Sequence, residues 1–443
     1  MSTQLWSFGL QWSRVGINAA LFLVATRFLT LAEIGLFATA FAPVRLSQGL
    51  HRAGISESVI VLGKYQTRLN ALFALSCLSG VGLTFIFGVI GHFAAIPALI
   101  ALSAIPLLNG ISAVPEGLLR RGLRLRALAL RTIFIQSLAA VIALGLLIYD
   151  LGIWALVSFA VINALGNCLL TAYLARWSPS GWPTFAKVVL LLPKVTQIAA
   201  RDFIGAAQMP LALMAIGMML GLQSAGAFQI AARIYNLIDA LTLSPLRFIA
   251  LPQLAQDTLR AKQRFAQHLA HAAWLSSWIW AIVLLFAPEI LGIVLEPEHA
   301  GATAPILRAL AGLGFCSAVI MPVNQALTAR LETTLVLHRA ILTLCLSTAL
   351  LLPALMVSAE ICALALSIAA MFTGLWYVRR ALPRLSLTSS DLSAAIPPLF
   401  AAGLACFLVL TTPNLPMLAQ ILCGTLVYTS LFALLPKPHL RFT

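Results

Sequence analysis

Residues 29–40 read LTLAEIGLFATA, and residues 220–231 read LGLQSAGAFQIA. At a constant offset of 191, Leu29 matches Leu220, Leu31 matches Leu222, Gly35 matches Gly226, Phe37 matches Phe228 and Ala40 matches Ala231. In each copy a long apolar run precedes the motif and another begins inside it. The motif therefore covers the turn between two helices and the start of the second. Both copies follow an odd-numbered apolar run, the first and the seventh, which places them on the same side of a membrane. The expected arrangement is two parallel six-helix halves related by an axis along the membrane normal, one of the repeat designs used by transporters.

The rest of the chain agrees with a membrane solution. Of its 443 residues 61% are hydrophobic and 9% charged, and mean hydropathy is +0.99. Soluble proteins carry about 25% charged residues. Apolar runs broken by polar or Pro/Gly clusters predict fourteen spans, near 7–29, 34–56, 69–91, 95–118, 128–149, 152–175, 198–221, 225–248, 268–294, 302–328, 335–357, 360–379, 391–411 and 416–435. At about 20 residues or slightly more per span, each connection has only about nine residues. A folded extramembrane domain is excluded, and with it a soluble catalytic domain or an ATPase motor. No GxxxxGK[ST] phosphate cradle is present. The predicted fold class is an all-α polytopic membrane protein with about 14 transmembrane helices: a six-helix lobe over 1–195, a second over 196–385, a central cavity, and an additional C-terminal helix pair with a short tail over 386–443.

The 28 Lys and Arg against 13 Asp and Glu give a net charge of +15. With the N-terminus in the cytoplasm, 21 of the 28 basic residues fall in even-numbered connections, their flanks and the C-terminal tail. The odd-numbered connections hold none and carry Glu33, Asp150, Glu296, Glu298 and Glu360 instead. This asymmetry predicts both termini inside and removes nucleic acid as the reason for the basic balance. The seven cysteines all lie in apolar stretches without a CxxC pair. They read as small hydrophobes, neither a disulfide framework nor a metal site. The first apolar run is too long for a cleavable signal peptide and contains Arg14. No cofactor is expected.

Some charges fall inside the spans. Ser7, Gln11, Arg14 and Asn18 are spaced 4, 3, 4 in span 1; Arg45, Gln48 and Arg52 are spaced 3, 4 in span 2; Gln229, Arg233, Asn236 and Asp239 are spaced 4, 3, 3 in span 8. Such spacings put residues on one helical face. A polar face among lipid must turn toward protein or water. Arg45 lies roughly 18 Å into its span at 1.5 Å per residue, too deep to reach the interface easily, and Arg14 and Arg233 lie roughly 12 Å in. Mapped through the 191-residue offset, Arg233 falls at position 42, one turn from Arg45. Guanidinium groups in excess of acids imply an anionic ligand, and Arg suits the fork geometry of phosphate. The competing reading is an internal network in which these arginines pair with Glu116, Asp202 and Asp239, which are also the candidates for ion coupling. Two weaker signals are His268 with His271, read as surface or interface histidines, and the run Arg120, Arg121, Arg124, Arg126 and Arg131, read as an inner-surface anchor for anionic membrane lipids. The stretch RWSPSGWP at 176–183 reads as a connector between halves with interfacial tryptophans.

Three segments carry a resemblance. FLTLAEIGLFATAFAPVRLSQGLHRAGISESVI resembles the first hairpin of polysaccharide-repeat flippases of the multidrug/oligosaccharidyl-lipid/polysaccharide exporter superfamily. GLQSAGAFQIAARIYNLIDALTLSPLRFIALPQLAQ looks like their span 7–8 region, and EPEHAGATAPILRALAGLGFCSAVIMPVNQALTARLET like their span 9–10 junction. The resemblance implies transfer of an undecaprenyl-diphosphate-linked oligosaccharide repeat unit across the bacterial inner membrane by alternating access, for polysaccharide biosynthesis, with a polysaccharide polymerase and export machinery as neighbouring partners. It also implies that cationic residues of spans 1, 2 and 8 line the cavity; Arg14, Arg45 and Arg233 match by span. Two rivals stand beside it. A drug/cation antiporter of the same superfamily should present acids in span 1 or 7, whereas span 1 has none and Asp202 opens span 7. An integral-membrane polysaccharide polymerase should have sizeable outer loops with catalytic side chains, and these connections are short. The chain is expected not to be an enzyme.

Overall fold

A computed structural model describes residues 16–62, 65–122, 124–181, 183, 185–247, 250, 254, 261–330, 332–412 and 416–434. These residues form sixteen α-helices and, among the described residues, no strand. In chain order they are α1 (Gly16–Phe28), α2 (Leu31–Gly49), α3 (Glu57–Leu62), α4 (Gln66–Phe93), α5 (Pro97–Leu102), α6 (Ala104–Arg121), α7 (Leu125–Ile148) and α8 (Trp154–Ala175). There follow α9 (Phe185–Met219), α10 (Leu222–Thr242), α11 (Ala261–Val294), α12 (Pro297–Ala329), α13 (Thr333–Ala354), α14 (Ala359–Arg384), α15 (Ile396–Thr411) and α16 (Met417–Leu434). Each of the fourteen predicted spans has a helical counterpart. The count exceeds fourteen because two spans are broken: a π-helical segment (Leu50–Ser56) separates α2 from α3, and Ser103 separates α5 from α6.

Among the described residues nine helices are long and apolar enough to cross a membrane, and Gly16–Phe28, Phe203–Met219 and Met417–Leu431 are shorter apolar helices. The chain is a multi-pass membrane protein. Helices α2 and α10, which carry Arg45 and Arg233, are not among the nine. Polar residues on these two helices dilute an otherwise apolar surface.

Two compact units divide the chain, residues 1–229 and 230–443. In the first, Thr30 and Glu33 form a reciprocal cap that starts α2. The Thr30 backbone N–H donates to Glu33 Oε2 at 2.9 Å, and the Glu33 N–H donates to Thr30 Oγ1 at 3.3 Å. The equivalent turn before α10 uses Gly221, whose φ of +89° suits glycine. The two copies of the repeat meet each other inside this unit. A Cβ on Gly35 would collide with the carbonyl of Leu222, and a Cβ on Gly226 with the carbonyl of Leu31. Since 31 maps to 222 and 35 to 226, the contact is reciprocal, and the repeat's glycines are what let these backbones touch. The connector after α8 folds back on α4: Trp177 Nε1 donates to Gln66 Oε1 at 3.2 Å, and its ring packs edge-on to Phe73 at 5.5 Å.

In the second unit, α10, α11 and α12 share an aromatic centre. Tyr235 packs on fully buried Trp280 at 5.2 Å, and its hydroxyl bonds Ser317 at 3.2 Å. Gly314 leaves room for the Trp280 indole. The C-terminal helices dock on α11 through Trp278 and Tyr428, stacked at 5.5 Å. All seven cysteines are free. Cys168 and Cys362 are buried as expected of small hydrophobes, but Cys345 and Cys423 are exposed on helix faces.

Candidate functional site

Helix α2 buries Leu31, Ile34, Phe37, Ala38, Val44 and Ser47. The face it leaves outward carries Arg45, which is exposed although it sits in the interior of the helix. Among the described residues it has no hydrogen bond or ion pair. Gln48, one turn on, is half-buried. A guanidinium facing hydrocarbon would cost at least about 2.5–3.5 kcal/mol, so this face must turn to water or to a ligand that brings its own charge. Pro43 and the π-helical turn that begins at Leu50 bracket the Arg45–Gln48 turn. Proline removes a backbone donor, and π-helical turns concentrate at functional sites.

On α10, Gln229 is buried, Arg233 and Asp239 are half-buried and Asn236 is exposed. The four are thus unequal in exposure despite their shared spacing. Asn236 Nδ2 donates to the Ala232 carbonyl at 2.7 Å. Asp239 pairs with Arg247, at 3.0 Å from Oδ2 and 3.2 Å from Oδ1. The partner of Asp239 is thus Arg247, and not Arg233, which shares its helical face. Glu116 pairs with Arg120 at 2.5 Å, one turn away on α6. Asn18 on α1 is half-buried. Gln11 and Arg14 lie outside the described residues, and Arg52 and Asp202 sit in described helices with side chains outside them. His268 is buried and His271 half-buried in α11, so His268 belongs to the helix packing and not to a surface.

The basic run 120–131 divides. Arg121, Arg124 and Arg126 are exposed, and Arg124 Nη1 donates to the Leu174 carbonyl at 2.9 Å. Arg131 is buried instead and donates to Thr171 Oγ1 on α8. Thr171 donates to the Asn167 carbonyl, and Asn167 Nδ2 donates to Asn163 Oδ1 at 2.9 Å. Residues 163, 167 and 171 repeat every four positions, the same signal that marked spans 1, 2 and 8. Sequence reasoning passed over this ladder, and also over Arg339, whose guanidinium lies 5.2 Å from the Tyr377 ring centre. It passed over His51 as well, which is buried in the π-helical segment.

The comparisons place this architecture. A family profile described as "Polysaccharide biosynthesis protein" matches residues 24–302. No curated protein matches the chain in sequence. Among solved structures the chain is similar to the lipid II flippase MurJ in an inward closed conformation, with TM-score 0.78 and 16% identity over 96% of this chain and 97% of that one. It is also similar to a multidrug resistance MATE family transporter of the MOP superfamily. The inward-facing form gives TM-score 0.64 and 17% identity over 85% of this chain and 94% of that one. An outward-facing form gives TM-score 0.59 and 16% identity over 86% and 94%. At these identities the likeness establishes the fold, and the family profile, which covers more than half the residues, establishes the kinship: this chain belongs to the polysaccharide biosynthesis protein family, built on the fold of the MOP transporters.

Proposed function

We propose that the chain is a flippase that translocates a lipid-diphosphate-linked oligosaccharide repeat unit across the bacterial inner membrane by alternating access, for polysaccharide biosynthesis. The observation that carries this reading is Arg45: exposed in the interior of α2, without a partner among the described residues, and one turn from half-buried Gln48. A guanidinium so placed suits a diphosphate, which it can hold through a two-pronged charge-assisted contact. The further candidates for contacts to the sugars and the second phosphate are Arg14, Arg52, Arg233, Gln11, Asn18, Gln229 and Asn236. The lobes are residues 1–195 and 196–385, with 386–443 as the added pair, and both termini lie in the cytoplasm. The cargo is an undecaprenyl-diphosphate-linked glycan. Exposed Arg121, Arg124 and Arg126 hold anionic lipid, and the polymerase and export machinery take the product. The fold supports alternating access, because inward-facing and outward-facing forms of it are known in a MATE transporter. The drug/cation antiporter reading is weaker, because Glu116 and Asp239 are each engaged by an arginine.

Arg45→Ala should leave membrane abundance normal and cut binding of the diphosphate lipid about ten- to hundredfold, from loss of one charge-assisted contact worth roughly 1.5–3 kcal/mol. Arg45→Lys should recover part of it, keeping the charge without the fork. Quantifying abundance and polymer export side by side for both variants decides the matter. Normal export at normal abundance rejects the diphosphate grip, and collapsed abundance makes Arg45 a structural residue.

A further inference from the structure

We propose that His51 is a proton-binding site that couples proton uptake to anion binding at Arg45; this rests on the reading of Arg45 as a diphosphate contact. His51 is buried at 1% exposure in the π-helical segment that continues α2. Its Nδ1 lies 3.0 Å from the Ser47 carbonyl, and its Nε2 lies 3.2 Å from Ser79 Oγ on α4. Ser79 Oγ is also 3.0 Å from the Ser76 carbonyl. A carbonyl only accepts, so Nδ1 carries a hydrogen. In the neutral ring Nε2 must then accept, and the Ser79 hydroxyl donates to it. When a proton arrives at Nε2, the ring becomes a donor at both nitrogens. The Ser79 hydroxyl then turns, accepts from Nε2–H and donates to the Ser76 carbonyl. One hydroxyl rotation therefore satisfies both protonation states without moving a helix, and the two carbonyls face the added charge. Gly110 on α6 closes the cradle; a Cβ there would come within 2.6 Å of the Ser76 oxygen and 3.5 Å of His51 Nε2.

The ring's hydrogen bonds among the described residues go to serines and not to a carboxylate. On its own segment and the elements packed around it, the ionisable groups to consider are Arg52 of the π-helical segment, Arg45 of α2, Glu57 of α3, Cys77 of α4, Glu116 and Arg120 of α6, and Lys194, Arg201 and Asp202 of α9; the side chains of Arg52, Lys194 and Arg201 lie outside the described residues. Glu116 is held by Arg120, Glu57 is exposed, and the Asp202 side chain lies outside the described residues. Arg45 is six residues away, roughly 9 Å along the helix axis at 1.5 Å per residue. An imidazolium at that distance adds attraction for a bound diphosphate, and by reciprocity the diphosphate raises the ring's hold on its proton. Proton and anion thus bind cooperatively. An imidazole takes up its proton closer to neutral pH than a carboxylate does.

The test uses the full chain in lipid nanodiscs. Ring 15N spectra of the wild type and His51→Gln identify the His51 signal among the chain's 7 histidines. The signal should shift from the neutral to the doubly protonated ring as pH falls, and Ser79→Ala, which keeps the ring but removes the turning hydroxyl, should lower the midpoint. Binding of undecaprenyl diphosphate carrying one N-acetylglucosamine, whose diphosphate does not titrate over this fall in pH, should tighten roughly tenfold from high to low pH. His51→Gln should bind with no such slope. A His51 ring that stays neutral throughout, or an unchanged slope in His51→Gln, overturns the proposal. Absence of binding at every pH in both proteins would reject the diphosphate reading instead, while the spectra would still decide the proton site.

Discussion

At Gly35 and Gly226 one hydrogen atom decides whether two helices can meet. Either glycine, given a methyl group, would drive it into a carbonyl of the other copy of the repeat. Overpacking of this kind costs about 1–3 kcal/mol, so Gly35→Ala and Gly226→Ala should each lower the melting temperature of the purified protein. The control is Gly82→Ala, because a Cβ at Gly82 meets nothing within 4 Å. There the gain in helix propensity, up to about 1 kcal/mol, should dominate. The double variant should cost less than the two single losses together, since the first methyl already forces the backbones apart and the second enters a gap. Additive losses would mean that the glycines do not share one contact. These two residues were legible in sequence because the repeat preserves them at a fixed offset. Arg45 was legible too, as a charge too deep to reach water along its own stem. His51 was not: it stands between Gln48 and Arg52, and nothing in its spacing says that the ring turns inward to Ser47 and Ser79 instead of along the polar stripe.

At the scale of elements, helix limits followed from local chemistry and helix interruptions did not. The Thr30–Glu33 box starts α2, Ser358 starts α14 by accepting from the Ile361 N–H at 3.3 Å, and Thr388 with Asp391 starts the short 3₁₀ turn before α15. The π-helical segment 50–56 falls at the end of the predicted span 34–56 and the break at Ser103 inside the predicted span 95–118, and spacing alone marks neither interruption. The polar partners were equally hidden. Asp239 meets Arg247 eight residues on because Arg247 reaches back past the end of α10, a choice that no helical spacing dictates. The C-terminal pair offers a direct measurement of element docking. Trp278 Nε1 donates to Thr425 Oγ1 at 3.0 Å, and the Tyr428 hydroxyl donates to the Trp274 carbonyl at 2.7 Å and lies 3.0 Å from Ser277 Oγ. Tyr428→Phe keeps the ring stack and removes only the hydroxyl, at about 1 kcal/mol. Trp278→Ala removes the stack and opens a cavity, at about 3–5 kcal/mol. We expect a small fall in melting temperature for the first. For the second we expect a large fall, with protease cleavage appearing at 385–388. An uncleaved, fully stable Trp278→Ala protein would show that α15 and α16 are held by something other than this contact.

At the scale of the whole molecule, the hydropathy of the runs was sufficient to locate the helices, because in lipid a spanning backbone must satisfy its own hydrogen bonds. The charges between the runs carry the orientation. Several do local work that agrees with a common end. Arg124 reaches the last turn of α8 at the Leu174 carbonyl, Arg330 donates to the Arg384 carbonyl at 2.9 Å, and Arg384 pairs with Glu332 at 3.2 Å. In the second unit, then, basic residues from two connections meet at the same helix ends and tie them together, and in the first Arg124 ties its connection to the end of α8. A membrane that retains positive charge on its cytoplasmic side would hold those ends inside. Single cysteines introduced into a cysteine-free chain at Arg124, Lys262 and Arg384 should therefore react with an impermeant maleimide only after the membrane is broken. Cysteines at Gly301 and Pro413 should react in intact cells. Gly301 is the more demanding outer site, because it lies in the first turns of α12, just after Glu296 and Glu298, in a connection without basic residues. Labelling at Arg384 from outside would invert the second unit, and with it the parallel relation that the 191-residue repeat requires. Labelling at Pro413 from inside alone would leave the twelve-helix core standing and place the C-terminal pair at the membrane surface.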